Sequence, residues 1–408
     1  ARRKLRELVF DQNTDSYQAP DMTILAEHVT ESGIKEMALQ QEPDNIVWCV
    51  LNNGRFVGMT YRREENVIAW HDHIIGGTSG ACTVTVSDYA NIATGTTLTF
   101  TKSDGSTVTF TSEAAGSSDP SSSTGFRPNT SNNVTADNIF TAINAHTDFT
   151  VANPSAAVVT IEETSPTPGG FLTVVSSDTT RLTTTDQTFA LAESVATIPG
   201  DLNEDDIYVI VQRTVNKTTK RYVEYFSSFD FGTDSSDAFF VDSGLSYSGS
   251  AATTISGLDH LEGQTVTINA NGATHPNKQV SSGAITLDFA VTKAHIGLHF
   301  ASTLQTMRLE AGGTQGTAQG KTKRIHEVTL RLFRTIGCQI GDSETNLDRI
   351  PFRSSADEMD QALDLFSGDK ELEFSGGFDT DGFIVVQQDQ PLPMTILGIF
   401  PELITFDQ

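Results

Sequence analysis

Hydrophobic and polar residues alternate with a period of two along most of this chain, the spacing of strands with one buried face. Two stretches carry the pattern most clearly. The first is IVWCVLNNGRFVGMTYRREENVIAWHDH, from Ile46 to His73, and the second is IYVIVQRTVNKTTKRYVEYF, from Ile207 to Phe226. Both are rich in β-branched and aromatic residues, which suit a pleated surface. Asn52-Asn53-Gly54 and Asn216-Lys217 stand where two-residue hairpins want Asn and Gly. Each stretch predicts a hairpin, and each hairpin reads as part of a propeller-like blade. Ahead of the first, Lys4 to Phe10 alternates as a strand and Asp11 to Asp15 is a polar turn. Asp21 is placed to cap a short helix over Met22–His28, with Met22, Leu25 and Val29 on one face and Gly33 ending it. Ile34 to Gln40 predicts a short strand or turn, and Pro43-Asp44 a break.

Between the hairpins the composition changes. Gly76 to Gly80 is a flexible joint, and from about Ser79 to Thr188 the chain is dominated by Thr, Ser, Ala and Asn. Strands are expected at Thr96–Thr101, Thr107–Thr111, Val158–Glu162 and Phe171–Ser176, with a turn at Ser103-Asp104-Gly105. ADNIFTAINAH, Ala136 to His146, predicts an amphipathic helix with Ile139, Phe140 and Ile143 inward. Ser117 to Ser123 is expected to be a mobile loop. A helix between strand pairs makes this an inserted α+β module. The main chain resumes near Ala190, and Thr197-Ile198-Pro199-Gly200 leads into the second hairpin.

Ser227 to Asp237 reads as a linker. Ala238 to Leu309 is all-β, with a strand at Thr265–Ala270, a turn at Asn271-Gly272 and a strand at Ala284–Phe289. Short strands at this spacing suggest a small barrel. Glu310 to Gly320 is a Gly-rich linker. Beyond it, Ile325, Val328, Leu330 and Leu332 mark a long strand, Asp379-Thr380-Asp381-Gly382 turns between strands at Glu371–Phe374 and Phe383–Gln388, and Met394 to Phe400 is continuously apolar. The expected fold class is mainly β and multidomain. It comprises propeller-like blade segments (1–78 and 189–231), an inserted small α+β domain (79–188), a small β-barrel-like domain (232–310) and a C-terminal β-sandwich (321–408).

Charge narrows the function. Of 408 residues, 52 are acidic and 26 basic, a net charge of -26. A surface this acidic does not grip nucleic acid by neutralising phosphates, although nucleic acid can slide past it without sticking. The stretch 79–188 holds 3 basic and 10 acidic residues, so the acidity belongs mainly to the rest. The 3 cysteines, Cys49, Cys82 and Cys338, are far apart and form no disulfide or zinc pattern. No apolar run approaches the roughly 20 residues of a membrane span. The opening ARRKLRELVF carries no Met and no signal-peptide pattern, and is expected to be the processed or truncated edge of a longer chain.

Candidate chemistry is sparse. His71-Asp72-His73 offers two imidazoles on one strand face, but no third ligand at a suitable spacing. Asp201 to Asp206 begins like a calcium loop, yet Asp206 and Gln212 stand where Gly and Glu are needed. Asp379 to Gly382 is most simply a turn. Asp259, His260 and Glu262 have an acid/base composition with no nucleophile or paired carboxylate beside them. No catalytic residue, metal or cofactor is expected.

Several segments, in order, are similar to one family. DSYQAPDMTILAEHVTESGI and MALQQEPDNIVWCVLNNGRFVGMTYRREENVIAWHDH resemble the tail nozzle proteins (tail tubular protein B) of short-tailed bacteriophages. So do AFFVDSGLSYSG, TTISGLDHLEGQTV, QGKTKRIHEVTLRLFRT and QPLPMTILGIFPEL. The likeness spans nearly everything outside 79–188. It implies a non-enzymatic structural protein of the virion tail, made in the host cytoplasm. A homohexameric ring would sit below the tail adaptor protein, near fibres or spikes, with DNA passing transiently through its lumen. The insert departs from the family pattern and resembles small β-rich add-on modules of phage structural proteins. The basic residues Lys321, Lys323, Arg324, Arg331 and Arg334 are expected at a subunit contact, where they would meet an acidic neighbour, in preference to DNA. The alternative is a tailspike or receptor-binding tail protein, with 79–188 as an adhesion module for the host surface.

Overall fold

A computed structural model describes residues 2–12, 14–75, 81–102, 104–116, 123–164, 172–186, 189–200, 204–215, 218–310, 317, 319–355, 357–358 and 361–406. The expected joint at Gly76–Gly80, the turn at Asn216-Lys217, most of the Ser117–Ser123 loop and most of the Glu310–Gly320 linker lie outside the described residues. Among those residues the chain is mainly β, with one α-helix and mostly antiparallel sheets, none of them closed. It folds as two compact units. One holds residues 1–226 with 259–264 and 281–283, and the other holds the remainder.

The first unit opens with a hairpin, β1 (Val9–Asp11) and β2 (Ser16–Gln18). The strand expected from Lys4 is confined to its end, although Arg6 makes an isolated bridge to Asp21. The helix expected over Met22–His28 does not form. Asp21 does bind the Thr23 N–H at 3.0 Å, but its carboxylate also takes the Thr23 hydroxyl at 2.6 Å. Successive turns follow, from the Ala26 N–H to Thr23 O and the Val29 N–H to Ala26 O. Met22 is buried while Leu25 is 93% exposed, so the two do not share a face. The Met22 carbonyl accepts instead from the Trp70 indole at 3.0 Å.

Next comes a four-stranded meander, β3 (Ile34–Gln40), β4 (Ile46–Leu51), β5 (Phe56–Arg62) and β6 (Val67–His73). The insert follows with β7 (Ala81–Val86), β8 (Thr97–Thr101), β9 (Thr107–Ser112), β10 (Gly125–Phe126), α1 (Asn132–Asn144), β11 (Phe149–Ser155), β12 (Val158–Glu163), β13 (Thr173–Ser176) and β14 (Leu182–Asp186). Among the described residues these strands pair with each other, in sheets ordered β10-β9-β8-β13 and β11-β12-β7-β14. Helix α1 starts four residues before the expected Ala136, because the Ser131 hydroxyl caps it by accepting from the Val134 N–H. Ile139 and Ile143 are fully buried, as expected, and Phe140 packs partly buried at the edge. Their core also holds Phe100, Phe110, Phe126 and Phe149. Each such side chain stabilises the module by about 1.5–3 kcal/mol.

The chain then returns as a three-stranded meander, β15 (Phe189–Pro199), β16 (Asp205–Val215) and β17 (Thr218–Tyr225). The expected lead-in at Thr197 to Gly200 is mostly the end of β15. The two meanders, separated in sequence by the whole insert, share one core. Trp48, Val50 and Phe56 from the first pack with Ala190, Ala192, Val195, Ile207, Val209 and Val211 from the second. Gly54, in the Asn52-Asn53-Gly54 turn, has φ +78, and a Cβ there would lie 2.1 Å from Leu191 Cδ2. Only glycine allows both that backbone and that approach. The opposite face of the first meander, with Cys49, Leu51 and Val57, is covered by Leu5 and Val29.

In the second unit, β18 (Asp242–Ser256), β19 (Thr265–Ala270), β20 (Ala273–Gln279) and β21 (Ala284–Leu298) form a sheet ordered β18-β21-β19-β20. Asn271 and Gly272 turn it with φ of 51 and 84, as a type I′ hairpin requires. The barrel expected here is an open sheet. Two 15-residue strands, β18 and β21, pair along their length with bulges where several short strands were expected. The remaining strands are β22 (Ser302–Gln305), β23 (Thr322–Thr335), β24 (Gln339–Ser343), β25 (Asn346–Arg349), β26 (Phe366–Glu373), β27 (Val385–Gln388) and β28 (Ile396–Phe406). They form sheets ordered β22-β27-β24-β25 and β26-β23-β28 around one core. That core takes Ile325, Val328, Leu330 and Leu332 from β23. The step of three from Ile325 to Val328 reflects a bulge between Ile325 and Glu327 that restores the inward register.

Candidate functional site

Strand β23 carries four of the five basic residues that the sequence singles out, Lys321 standing just before it, and the fold disperses them. Lys323 alternates with Ile325 and shares its inward face. It is 1% exposed, its Nζ donates to the Leu309 carbonyl at 3.2 Å, and its stem packs against Gly382. An ammonium held inside the chain does not present itself to a neighbour, which corrects the expectation for Lys323. Its backbone bridges to Asp379, whose carboxylate accepts from the Thr380 and Gly382 N–H groups. Burial opposes the ionised form of Asp379, but the backbone donors of residues 380–382 outweigh it and hold its pKa below the usual carboxylate range. Asp379 to Gly382 is thus the turn expected. An open cavity of about 360 Å³ adjoins it, lined by Lys323, Asp342, Ser343, Phe374, Phe378 and Phe383 among others. Ser343 donates to the Asp342 carboxylate at 3.1 Å and its hydroxyl lies 3.3 Å from that of Thr345, an arrangement that fixes the loop.

Arg324 and Arg331 lie on the other face of β23. The Arg324 guanidinium sits 5.6 Å from the Phe378 ring. Arg331 forks onto Asp369 at 2.7 and 2.8 Å and lies 5.2 Å from the Phe400 ring. That pairing holds the Asp369 carboxyl below its ordinary range and raises Arg331. Arg334 donates to Asp230 at 2.8 Å. Lys321 precedes the strand and is half-buried. The five do not form a single cationic surface.

His71 and His73 share a face of β6, as their spacing requires, with ring centroids 5.2 Å apart. That face points into the core between the meanders. Both rings pack on Trp48, at 5.4 and 5.5 Å, and His73 also meets Phe56 and Phe226. Asp72 points the other way and pairs with Arg55. Among the described residues no group of three or more His, Cys, Asp or Glu is arranged to hold a metal ion.

The acidic loops are structural closures. Asp201 to Asn203 lie outside the described residues. Asp205 accepts from the Gln41 and Glu42 N–H groups at 2.7 and 3.3 Å, joining the turn after β3 to the start of β16. Glu262 accepts from the Ser282 and Gly283 N–H groups at 2.9 and 2.7 Å, and His260 lies 6.1 Å from the Tyr222 ring.

Two features escaped sequence reasoning. Arg213 is fully buried; its Nε and Nη2 bond Glu224 at 3.0 and 2.7 Å, and its Nη1 bonds the Ile75 carbonyl at 2.6 Å. Its position in the alternation Ile207, Val209, Val211, Arg213 was the available signal. The second is the outer face of β16 and β17, with Tyr208, Ile210, Val223 and Tyr225, announced by the unbroken apolar run IYVIV. No helix among the described residues is long and apolar enough to cross a membrane. In comparison with known proteins, no family model matches the chain and no curated protein matches it.

Proposed function

We propose that this chain is a non-enzymatic structural protein of a bacteriophage tail. Six copies form a nozzle ring that extends the DNA-ejection channel below the adaptor. The observation that carries the reading is the split core. Residues 34–73 and 189–225 form two meanders that pack on each other, and a self-contained module separates them in sequence. Stacked meanders are how blades of a propeller-like region pack. The two sheets around the β23 core fit a C-terminal sandwich. The acid excess suits a wall that DNA passes without docking. Together with the ordered segments that resemble nozzle proteins, these features support a ring more than a fibre. Imaging of the purified full chain tests it: sixfold rings with an open lumen are expected, and a trimeric spike would refute the reading.

A second reading concerns the insert as a host-surface adhesion module. It is favoured by a regular outer face in which Thr97, Thr99 and Thr101 of β8 stand opposite Thr111, Thr109 and Thr107 of β9. This face offers hydroxyls without charge. Deleting 79–188 is expected to leave assembly intact and to reduce adsorption to the host; undiminished adsorption removes the idea.

A further inference from the structure

The open sheet of the second unit is interrupted where β20 and β21 approach each other. In β20 the pairing with β19 skips from Val266–Lys278 to Ile268–His275, so Pro276 and Asn277 bulge out of the ladder. In β21 the pairing with β18 skips from Thr254–Thr286 to Ala252–Val291, which leaves residues 287–290 without a partner on β18. The same strand meets β19 further on, from Ala294 to Gly297. The Asp288 N–H therefore falls in the gap between these pairings. It donates instead to Nε2 of His275, at 3.0 Å. An imidazole fills the place of a missing strand.

The His275 residue is 1% exposed. Its other ring nitrogen, Nδ1, lies 2.8 Å from the Pro276 carbonyl. Both partners are main-chain groups with fixed roles: the amide can only donate and the carbonyl can only accept. The two together fix the neutral ring with its proton on Nδ1. A second proton would sit on Nε2, facing the Asp288 N–H. His295, in the same sheet, is the contrast. Its Nε2 donates to the Ser236 carbonyl at 3.0 Å, but its Nδ1 faces the Ser246 hydroxyl at 2.8 Å, which can turn and accept. The hydrogen bonds of His295 survive a second proton; the Nε2 bond of His275 does not. The charged groups at the His275 ring are Asp288, whose carboxylate lies 3.5 Å from Nε2, and Lys278, which pairs with that carboxylate at 2.6 Å. Phe289 packs against the ring at 5.3 Å, and the adjoining β19 carries no titratable side chain.

We infer that His275 is an acid-released clasp between β20 and β21. Neutral, it holds the Asp288 main chain to the edge strand. Protonated by solvent, it gives up the Asp288 N–H, and its new Nε2–H donates to the Asp288 carboxylate, which Lys278 must then share. Lys278 holds the Asp288 carboxyl below the usual carboxylate range, so that anion is present throughout the range in which an imidazole titrates. Strand β20 stands at the edge of the sheet order β18-β21-β19-β20, so it loosens without breaking an interior pairing. Acid thus frees residues 287–290 and the bulge at Pro276, while β18 and the rest of β21 stay paired. The clasp lies wholly within the second unit and is independent of how many copies assemble.

Amide hydrogen exchange of the full chain, read by mass spectrometry and corrected for the intrinsic effect of pH, tests the clasp at about pH 7.5 and about pH 5, either side of the ordinary imidazole value of about 6.5. In wild type, peptides over 273–279 and 286–290 are expected to exchange about tenfold faster at the lower pH, the effect of one lost hydrogen bond, while those over β24 keep their protection. His275→Gln retains an acceptor and a donor but takes no proton, so its protection is expected to be equal at both values. Asp288→Asn retains the N–H and removes the anion that receives the imidazolium. Opening in that variant is expected only at lower pH, with a smaller loss than wild type at about pH 5. Unchanged protection in wild type, an equal loss in His275→Gln, or a loss in Asp288→Asn as large as that of wild type would overturn the inference.

Discussion

Removing the Glu224 carboxylate takes from a buried guanidinium the anion that two of its nitrogens bind. Arg213 is fully inaccessible, and two of its nitrogens rest on one oxygen of Glu224, whose side chain is 28% exposed. A further contact, to the Ile75 carbonyl, does not neutralise charge. Loss of one partner of such a pair costs about 3–5 kcal/mol, and partial solvation of Glu224 places Glu224→Ala near the lower end. With a urea slope of about 2–3 kcal/mol/M, a loss of about 3 kcal/mol lowers the midpoint by about 1–1.5 M. The chain supplies its own reporter, since both tryptophans, Trp48 and Trp70, lie in the meander that shares a core with β16. Arg213→Met should cost less, because the partner left behind can turn towards water. The double variant Arg213→Met/Glu224→Leu should return to within about 1 kcal/mol of wild type, since apolar isosteres often replace a buried pair without loss. A Glu224→Ala midpoint equal to wild type, or a double variant worse than both singles, would refute the account of a buried charge balanced by Glu224.

Gly54→Ala should destabilise the first unit by about 1–3 kcal/mol through overpacking and left-handed backbone, read by the same tryptophan signal. Phe110→Ala should cost about 3–5 kcal/mol within the insert and leave the tryptophan transition in place, because that core contains no tryptophan. Residues 79–188 expressed alone should melt cooperatively by circular dichroism. Burial pushes the Cys49 and Cys338 thiols up to about 12, so a thiol reagent at pH 8 should label neither until urea is added. Burial pushes the His295 imidazole below its ordinary value, against the opposing hydrogen bond to Ser236. The fold therefore prefers the neutral ring, and its contribution is complete above about pH 6.5 and lost as pH falls below that value. Calorimetry of wild type and His295→Gln from pH 7.5 to 5.5 checks the sign; a melting temperature that rises on acidification in wild type alone would contradict it.

The strands were legible where one physical rule acts alone. The alternation Ile325, Val328, Leu330, Leu332 predicts β23, and its single irregular step is a bulge. Asn271-Gly272 predicts its turn because both positions need positive φ. Legibility failed where local and tertiary demands compete. Asp21 looks like a helix cap, but the Met22 N–H is taken by Leu5 and the Met22 carbonyl by Trp70, so the segment is pinned by distant partners and stays a series of turns. The barrel expectation failed for a similar reason. Short apolar runs predict short strands, whereas bulges let β18 and β21 continue through polar stretches such as Ser248 to Thr253.

The candidate site was legible as residue types and illegible as partners. His71 and His73 were correctly placed on one face, yet only the fold sets Trp48, Phe56 and Phe226 around them. Residue type alone groups Lys323 with the surface cations, while its alternation with Ile325 assigns it to the inward face. The positions of these cations bear on assembly. Arg331 is committed to Asp369, Arg334 to Asp230 and Lys323 to the interior, while 52 acidic residues oppose 26 basic ones over the chain. Copies of such a chain repel one another over about 10 Å at 0.1 M salt. Cations already satisfied within the chain gain little by meeting a neighbour, so they are poor candidates for overcoming that repulsion. Apolar surface gains the full transfer free energy on contact and is indifferent to net charge. The self-association proposed above would for that reason draw on exposed apolar residues such as Ile210, Val223 and Tyr225 more than on the arginines of β23.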